Sequence, residues 1–337
     1  MTPLHMAAST GNIAFAKNLV SGGADVNAIA KTTSYEGMTP LHIAAFGEHT
    51  EIVQFLVEEH ADANAKGKNG WTPLHCVAFN EKNNDSLEIV KILISKGADI
   101  NAKDNNGSTP LFSAVKGKNV EIVRFLVSQG ADVEAKDNRG DTPLSFAKFF
   151  GDAAMVECLS GAMHKLSEHM QRGGECIQNG DFDKAITEFS EAIRLNPNAA
   201  IAYSSRGAVY SARGSTTQQK SDLDKAIEDL NEAIRLDPND AGIYYTRGNT
   251  YAQIGTYGEI DCFDKAIEDF DEVIRRNPTD VNDAKLHASR GTVYFEKGDY
   301  KKAIESFDET IRLSPQDSPI TTVALRSREM AMRKAGL

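Results

Sequence analysis

Gly37-Met38-Thr39-Pro40-Leu41-His42-Ile43-Ala44-Ala45 is the stretch whose reading decides the fold. A proline in the first turn of a helix lacks only an N–H that would be unpaired there, and its fixed φ suits helix entry. The threonine before it can cap that turn. Leu41 and the Ala44-Ala45 pair leave a thin apolar face, which lets a neighbouring helix approach closely. The stretch is one copy of several. Thr-Pro-Leu-His starts at Thr2, Thr39 and Thr72, and Thr-Pro-Leu-Phe and Thr-Pro-Leu-Ser start at Thr109 and Thr142, at spacings of 37, 33, 37 and 33 residues. Glycines 37, 70, 107 and 140 stand two residues ahead of the last four. A second motif, Gly-Ala-Asp-Val-Asn-Ala, begins at Gly23 and recurs in altered form at His60, Gly97 and Gly130. Residues 51–57 repeat apolar side chains at helical spacing, and Gly97, just past such a run, suits a left-handed helix end.

The second half keeps another period. Asp183-Lys184-Ala185-Ile186 is matched by Asp224-Lys225-Ala226-Ile227, Asp264-Lys265-Ala266-Ile267 and Lys301-Lys302-Ala303-Ile304. Upstream of each lies an Arg-Gly pair: Arg172-Gly173, Arg206-Gly207, Arg247-Gly248 and Arg290-Gly291. Tyr210, Tyr251 and Tyr294 follow three residues after the glycine, and Pro197, Pro238, Pro278 and Pro315 close the segments. Small glycine and alanine belong where paired helices touch, Phe189, Leu230, Phe270 and Phe307 belong between repeats, and a proline just past a helix stops it.

The first set of motifs resembles the ankyrin family, whose repeat is about 33 residues with a T-P-L-H-x-A signature. The second resembles the tetratricopeptide repeat (TPR), about 34 residues of helix–turn–helix. Together the resemblances imply an all-α, tandem-repeat solenoid: ankyrin repeats, as helix pairs with β-turn fingers, followed by TPR helical hairpins. The expected domains are 1–162, with five ankyrin repeats of which the first lacks its finger, and 163–337, with four TPRs at 166–199, 200–240, 241–280 and 284–317 and a solvating, capping helix over 320–335. Four extra residues fall within 29–36 and four within 80–86. Repeats two and three of the TPR block are long by seven and six residues, at 215–221 and about 256–261. Each pair of insertions reads equally as one added helical turn per helix or as longer loops. The junction near 160–167 is not rich in Gly, Ser or Pro, so a continuous stack with limited flexing is expected.

The chain has 337 residues, 41% hydrophobic and 25% charged, with net charge −11. That is enough apolar residue to fill a core. Both halves are acidic, so no basic half exists to neutralise phosphates, and nucleic acid and anionic membrane surfaces are poor partners. Cys76, Cys158, Cys176 and Cys262 are far apart and form no C-x-x-C pair, which speaks against a disulfide framework or zinc site and fits a reducing compartment. The first residues are not a secretory signal, and no apolar run is long enough to span a membrane. A cytoplasmic monomer is expected.

Stacked repeats expose a long concave face without a closed chamber. The expectation is therefore a protein–protein scaffold or adaptor, with no catalytic residue, cofactor or metal. A co-chaperone or regulatory subunit holding clients in the TPR groove is the nearest alternative. A microbial effector acting on host proteins is compatible, and no residue tests it. In the ankyrin family, finger tips and inner helices make contacts. Carried over, these are Met38, Trp71, Ser108 and Asp141 on the fingers and Phe46, Phe79, Lys116 and Phe149 on the inner helices. Met38, Phe46, Trp71 and Phe79 are expected to form an exposed apolar patch, with Lys116 beside it. The competing reading has Phe46 and Phe79 packed between repeats and Trp71 covering a turn. In the TPR family helix A lines the groove, which maps to Ser204, Ala208, Tyr245, Asn249, Gln253, Lys285 and Thr292. Of the Lys/Asn/Arg set with which one TPR class grips chaperone carboxylates, only Asn249 and Lys285 are matched. Met170 and Gly174 stand in the first repeat, so that clamp is not expected.

Three features imitate chemistry. His5, His42 and His75 belong to the Thr-Pro-Leu-His motif, and the resemblance implies hydrogen bonds between repeats. His164 and His169 are five apart, off the i, i+4 spacing of a helical metal pair. The ladder Arg172, Arg206, Arg247 and Arg290 invites an acidic ligand, but a residue beside the packing glycine should sit near Glu188, Asp229 and Asp269 on helix B. No phosphate loop, dinucleotide fingerprint, nucleophile elbow or H-E-x-x-H is present.

Overall fold

The computed structural model describes residues 1–32, 35–80, 84–276 and 283–337. Among these residues there are eighteen α-helices and no strand. Two compact units are formed, Met1–His169 with Glu191–Asn198, and Met170–Ser190 with Ala199–Leu337. Pro278, part of the insertion at 29–36 and part of that at 80–86 lie outside the described residues.

In the first unit the Thr-Pro-Leu segments open the inner helices: α1 (Pro3–Thr10), α3 (Pro40–Phe46), α5 (Pro73–Ala78), α7 (Pro110–Lys116) and α9 (Pro143–Phe149). Each begins on its proline after an extended threonine. The outer row is α2 (Ile13–Ser21), α4 (Thr50–Glu58), α6 (Asn84–Ser95) and α8 (Val120–Ser128), followed by the long α10 (Ala153–Gln178). Inner helices pack on inner helices and outer on outer. The core is thin, as the Ala-Ala pattern predicts. Leu41, Ala44, Ala45, Leu74, Ala78, Leu111 and Ala114 are all buried, with Ile52, Leu56, Ile89 and Leu93 behind them.

Two ladders tie the repeats together. In each Gly-Ala-Asp motif the aspartate accepts the backbone N–H two residues on, as Asp62 Oδ1 does from Asn64 and Asp99 Oδ1 from Asn101. The asparagine then reaches the next repeat. Asn64 Oδ1 accepts from the Asp99 N–H at 2.7 Å and Asn64 Nδ2 donates to Gly97 O at 2.8 Å. Asn101 does the same with Asp132 and Gly130. Residues 191–198 finish this ladder within the unit. Asn196 Nδ2 donates to Glu134 and Asn198 Nδ2 to Asp132. The fingers are tight turns, with Gly70 and Gly107 at φ +75° each, a conformation only glycine adopts without strain.

In the second unit, residues 170–178 of α10 face residues 182–190 of α11 (Phe182–Leu195). Three hairpins follow: α12 (Ala200–Thr217) with α13 (Lys220–Leu236), α14 (Ala241–Thr256) with α15 (Asp261–Arg276), and α16 (Asp283–Lys297) with α17 (Tyr300–Leu313). The last helix, α18 (Pro319–Ala335), packs on α17 and α16. Within each hairpin the glycine of the first helix faces the large side chain of the second. A Cβ on Gly173, Gly248 or Gly291 would lie 2.6–2.8 Å from the rings of Phe189, Phe270 and Phe307, and one on Gly207 would lie 2.9 Å from Leu230.

The insertions resolve toward helix in the second repeat. α12 and α13 run 18 and 17 residues, against 15 and 14 for α16 and α17, and only Gln218 and Gln219 separate them. Gln218 turns the chain in the left-handed region at φ 55°. Arg213 and Asp222, one on each lengthened helix, close the added turns with a two-pronged ion pair at 2.7 and 2.8 Å. In the third repeat both helices run 16 residues and residues 257–260 form a loop, so that insertion divides between helix and turn.

Candidate protein-binding surfaces

The motif histidines form a buried relay in the first unit. His42 Nδ1 accepts the Thr39 backbone N–H at 3.1 Å, and its Nε2 meets Trp71 O on the next finger at 2.9 Å. His5 repeats this with Thr2 and Met38, and His75 with Thr72 and Ser108. Acceptance at Nδ1 and donation at Nε2 fix the neutral tautomer. Burial pushes all three below the usual histidine value, against the pull of the backbone carbonyls. Their function is structural, as the resemblance implied.

The aromatic side chains behave differently. Phe46 and Phe79 end their inner helices 50% and 39% exposed, and Phe149 and Phe150 at the end of α9 are 84% and 59% exposed. Trp71 is half-buried: its N–H donates to Asp104 at 3.1 Å and its ring lies 5.4 Å from that of Phe79. Met38 packs against the core and its carbonyl is taken by His5. The expected four-residue patch is thus brought together only in part. Phe46 and Phe79 are its open members, Trp71 props Phe79 from the finger, and Met38 turns inward. Ser108 is buried and Asp141 exposed. Lys116 is exposed and its Nζ stands 5.4 Å over the Phe146 ring.

Phe146 and Phe150 were not among the residues the motif register singled out. They and Phe79, Val115, Lys116 and Lys118 line a groove of about 330 Å³ on this face. The signal was in the sequence, as the run Phe146-Ala147-Lys148-Phe149-Phe150, where the second and third repeats place one aromatic, Phe46 or Phe79, and the first and fourth place none.

In the second unit the arginine ladder is internal. Arg206 grips Asp229 through two nitrogens at 2.8 and 2.7 Å, and Arg247 grips Asp269 at 2.9 and 2.6 Å. Each also reaches the preceding repeat, at Ser190 and Asn231. Arg172 pairs with Glu188. In the fourth repeat Ser306 occupies the acidic position, and Arg290 turns instead to Asp271 of the preceding repeat. Burial raises the Asp269 carboxyl, against the lowering pull of Arg247.

The helix-A positions divide. Ala208, Lys285 and Thr292 are exposed, and Ser204, Tyr245, Asn249 and Gln253 are half-buried. Tyr245 packs its ring 6.0 Å from Phe270. Ser204 and Thr292 turn their hydroxyls back to Ile201 O and Ala288 O, and Gln253 accepts from Ser215. The Asn249 amide has no hydrogen-bond partner among the described residues. Met170 packs against Phe189 and its neighbours, and Gly174 has no side chain to donate.

A family model for ankyrin repeats in three copies matches residues 4–104 and 78–167. Models for the TPR repeat match 173–214 and 218–255, and one for the tetratricopeptide repeat matches 284–317. The chain is an ankyrin-repeat block followed by TPR repeats. Both ankyrin and TPR repeats are protein–protein interaction modules and typically non-catalytic. Among the described residues of this ankyrin–TPR chain, no group of three His, Cys, Asp or Glu is placed to hold a metal ion, and no helix is long and apolar enough to cross a membrane. His164 pairs with Glu168. The cysteines are free thiols, and burial pushes Cys76 up to about 12, which keeps it an inert core residue.

Proposed function

We propose that this ankyrin–TPR protein is a non-enzymatic adaptor that holds protein or peptide partners on the inner-helix face of its ankyrin repeats. The observation that carries the reading is the row of aromatic side chains left open there, Phe46, Phe79, Phe149 and Phe150, where Phe112 of the same unit is fully buried. Large aromatic side chains dominate the energetics of protein interfaces and are rarely left uncovered without use. The TPR helix-A face offers a second, smaller surface around Ala208, Asn249, Lys285 and Thr292. Two surfaces on one chain bring two partners together, or raise the avidity for one. The chaperone-clamp reading has little support, because only Asn249 and Lys285 fit it.

The test is affinity capture with the full chain beside a Phe46→Ala, Phe79→Ala variant, both checked by thermal melting. Loss of captured partners with an unchanged melt supports the adaptor reading. An identical set of partners at identical yield removes the aromatic face from it.

A further inference from the structure

The groove beyond Phe79 has a chemistry of its own. Its floor and walls are Phe79, Val115, Phe146 and Phe150, and Lys116 and Lys118 stand on its rim. Three successive repeats build it, and the first two abut without play, since a Cβ on Gly117 would sit 2.3 Å from the Phe79 carbonyl oxygen. Its volume of about 330 Å³ is at the small end of the ~300–1,000 Å³ typical of ligand sites, enough for one or two large side chains. Lys116 is held by its place over the Phe146 ring, and Lys118 is exposed on a left-handed turn at φ 53°. Neither is ion-paired among the described residues. Asp152, the acid at the groove's edge, already spends Oδ1 on the Met155 N–H at the start of α10.

We infer that this groove takes a peptide segment with a large apolar anchor flanked by acidic residues. The apolar walls bury the anchor, and the two ammonium groups face the carboxylates that follow. Charge complementarity decides the sign. The chain carries a net charge of −11, so an acidic segment is repelled over most of its surface, and a pair of lysines beside an apolar slot steers it to this place. A basic peptide would meet the general field favourably and this rim unfavourably. The inference rests on the reading of the inner-helix face as a partner-binding surface and narrows it to one class of ligand.

The experiment is selection of random phage-displayed peptides on the full-length protein, followed by fluorescence anisotropy of the enriched peptides made synthetically. Enriched sequences are expected to hold Leu, Phe or Trp with Asp or Glu close by. Their affinity should fall about tenfold or more on Phe150→Ala and on the Lys116→Glu, Lys118→Glu double variant, since each removes a contact worth at least about 1.4 kcal/mol. Both lysines are exposed, so that variant keeps the fold. Enriched peptides without acidic bias, or an affinity unchanged by the lysine reversal, overturn the inference. If such peptides are lost on Phe46→Ala, which lies outside the groove, and not on Phe150→Ala or the lysine reversal, the adaptor reading stands and this one falls. A selection that enriches nothing counts against both.

Discussion

The indole N–H of Trp71 donates to Oδ2 of Asp104 at 3.1 Å, joining the fingers of two successive repeats. The other oxygen of Asp104 accepts the backbone N–H groups of Asn106 and Ser108 at 2.8 Å each, so it is fixed by its own turn. The same indole ring packs on Phe79. Trp71 therefore acts from the finger on the placement of an inner-helix aromatic.

Trp71→Phe keeps a ring near Phe79 and loses the hydrogen bond with part of the ring's contact area. The expected cost is about 1–2 kcal/mol, because the acceptor is charged yet keeps two other donors. Trp71→Ala removes the ring as well and should cost about 3 kcal/mol or more. Denaturant titration of the full chain, following the transition that reports the ankyrin unit, separates the two. Equal effects would show that the bond to Asp104 carries nothing.

The histidine relay makes the ankyrin unit sensitive to acid. His5, His42 and His75 are held in the neutral form below their ordinary value, while in the unfolded chain they titrate near ~6.5. Below that value the unfolded state binds protons that the folded state refuses. Stability is thus complete above about pH 6.5 and is lost as pH falls toward the depressed folded values. The denaturation midpoint should drop between about pH 7.5 and about pH 5.5. His42→Ala should flatten that slope and cost about 2–5 kcal/mol at neutral pH, as it orphans the buried Thr39 N–H and the Trp71 carbonyl together. A pH slope unchanged in the variant would exclude His42 as its source.

Much of this was legible because the repeats impose the same physics at fixed intervals. Thr39, Pro40 and His42 recur with their spacing because a cap, a helix start and a carbonyl on the next finger must all be met at once. Arg206 and Arg247 were readable as internal because Asp229 and Asp269 recur in register with them. Arg290 was less so. Its partner changes to Asp271 once Ser306 replaces the acid, and only the spatial neighbourhood of the preceding helix reveals that. The insertion at 215–221 carries no Gly or Pro of its own, so sequence left helix and loop open. The Arg213–Asp222 pair, nine residues apart, favours the added turn. The orientation of Met38 was hard to read for another reason. A finger residue's side chain can turn to the core or away from it, and no periodicity marks which.

The arginine ladder predicts unequal costs from similar substitutions. Asp269 is 6% exposed at its side chain and Asp271 is 50% exposed. Arg247→Ala strands a buried carboxylate and should cost about 3–5 kcal/mol. Arg290→Ala leaves a solvated one and should cost about 1 kcal/mol or less through the ion pair. Arg247→Lys cannot reproduce the two-pronged grip and should recover less than half of the loss. Circular dichroism melts of the three variants give the order, and equal loss at Arg247 and Arg290 would contradict it.

Gly248 sits inside a helix, where alanine is ordinarily better by about 1 kcal/mol. Its missing Cβ leaves room for Phe270: a methyl there would lie 2.8 Å from Cε1 and 3.0 Å from Cδ1 of the ring, and 3.2 Å from Cβ of Asp269. Phe270 is fully buried and cannot swing away without opening the core between repeats. Overpacking of this kind costs about 1–3 kcal/mol, which exceeds the propensity gain. Gly248→Ala should therefore destabilise the TPR unit. Gly248→Ala combined with Phe270→Leu should be less destabilised than the sum of the single changes, a coupling that a double-mutant cycle measures directly. Additive losses would mean that the helix pair is held apart by something other than this ring.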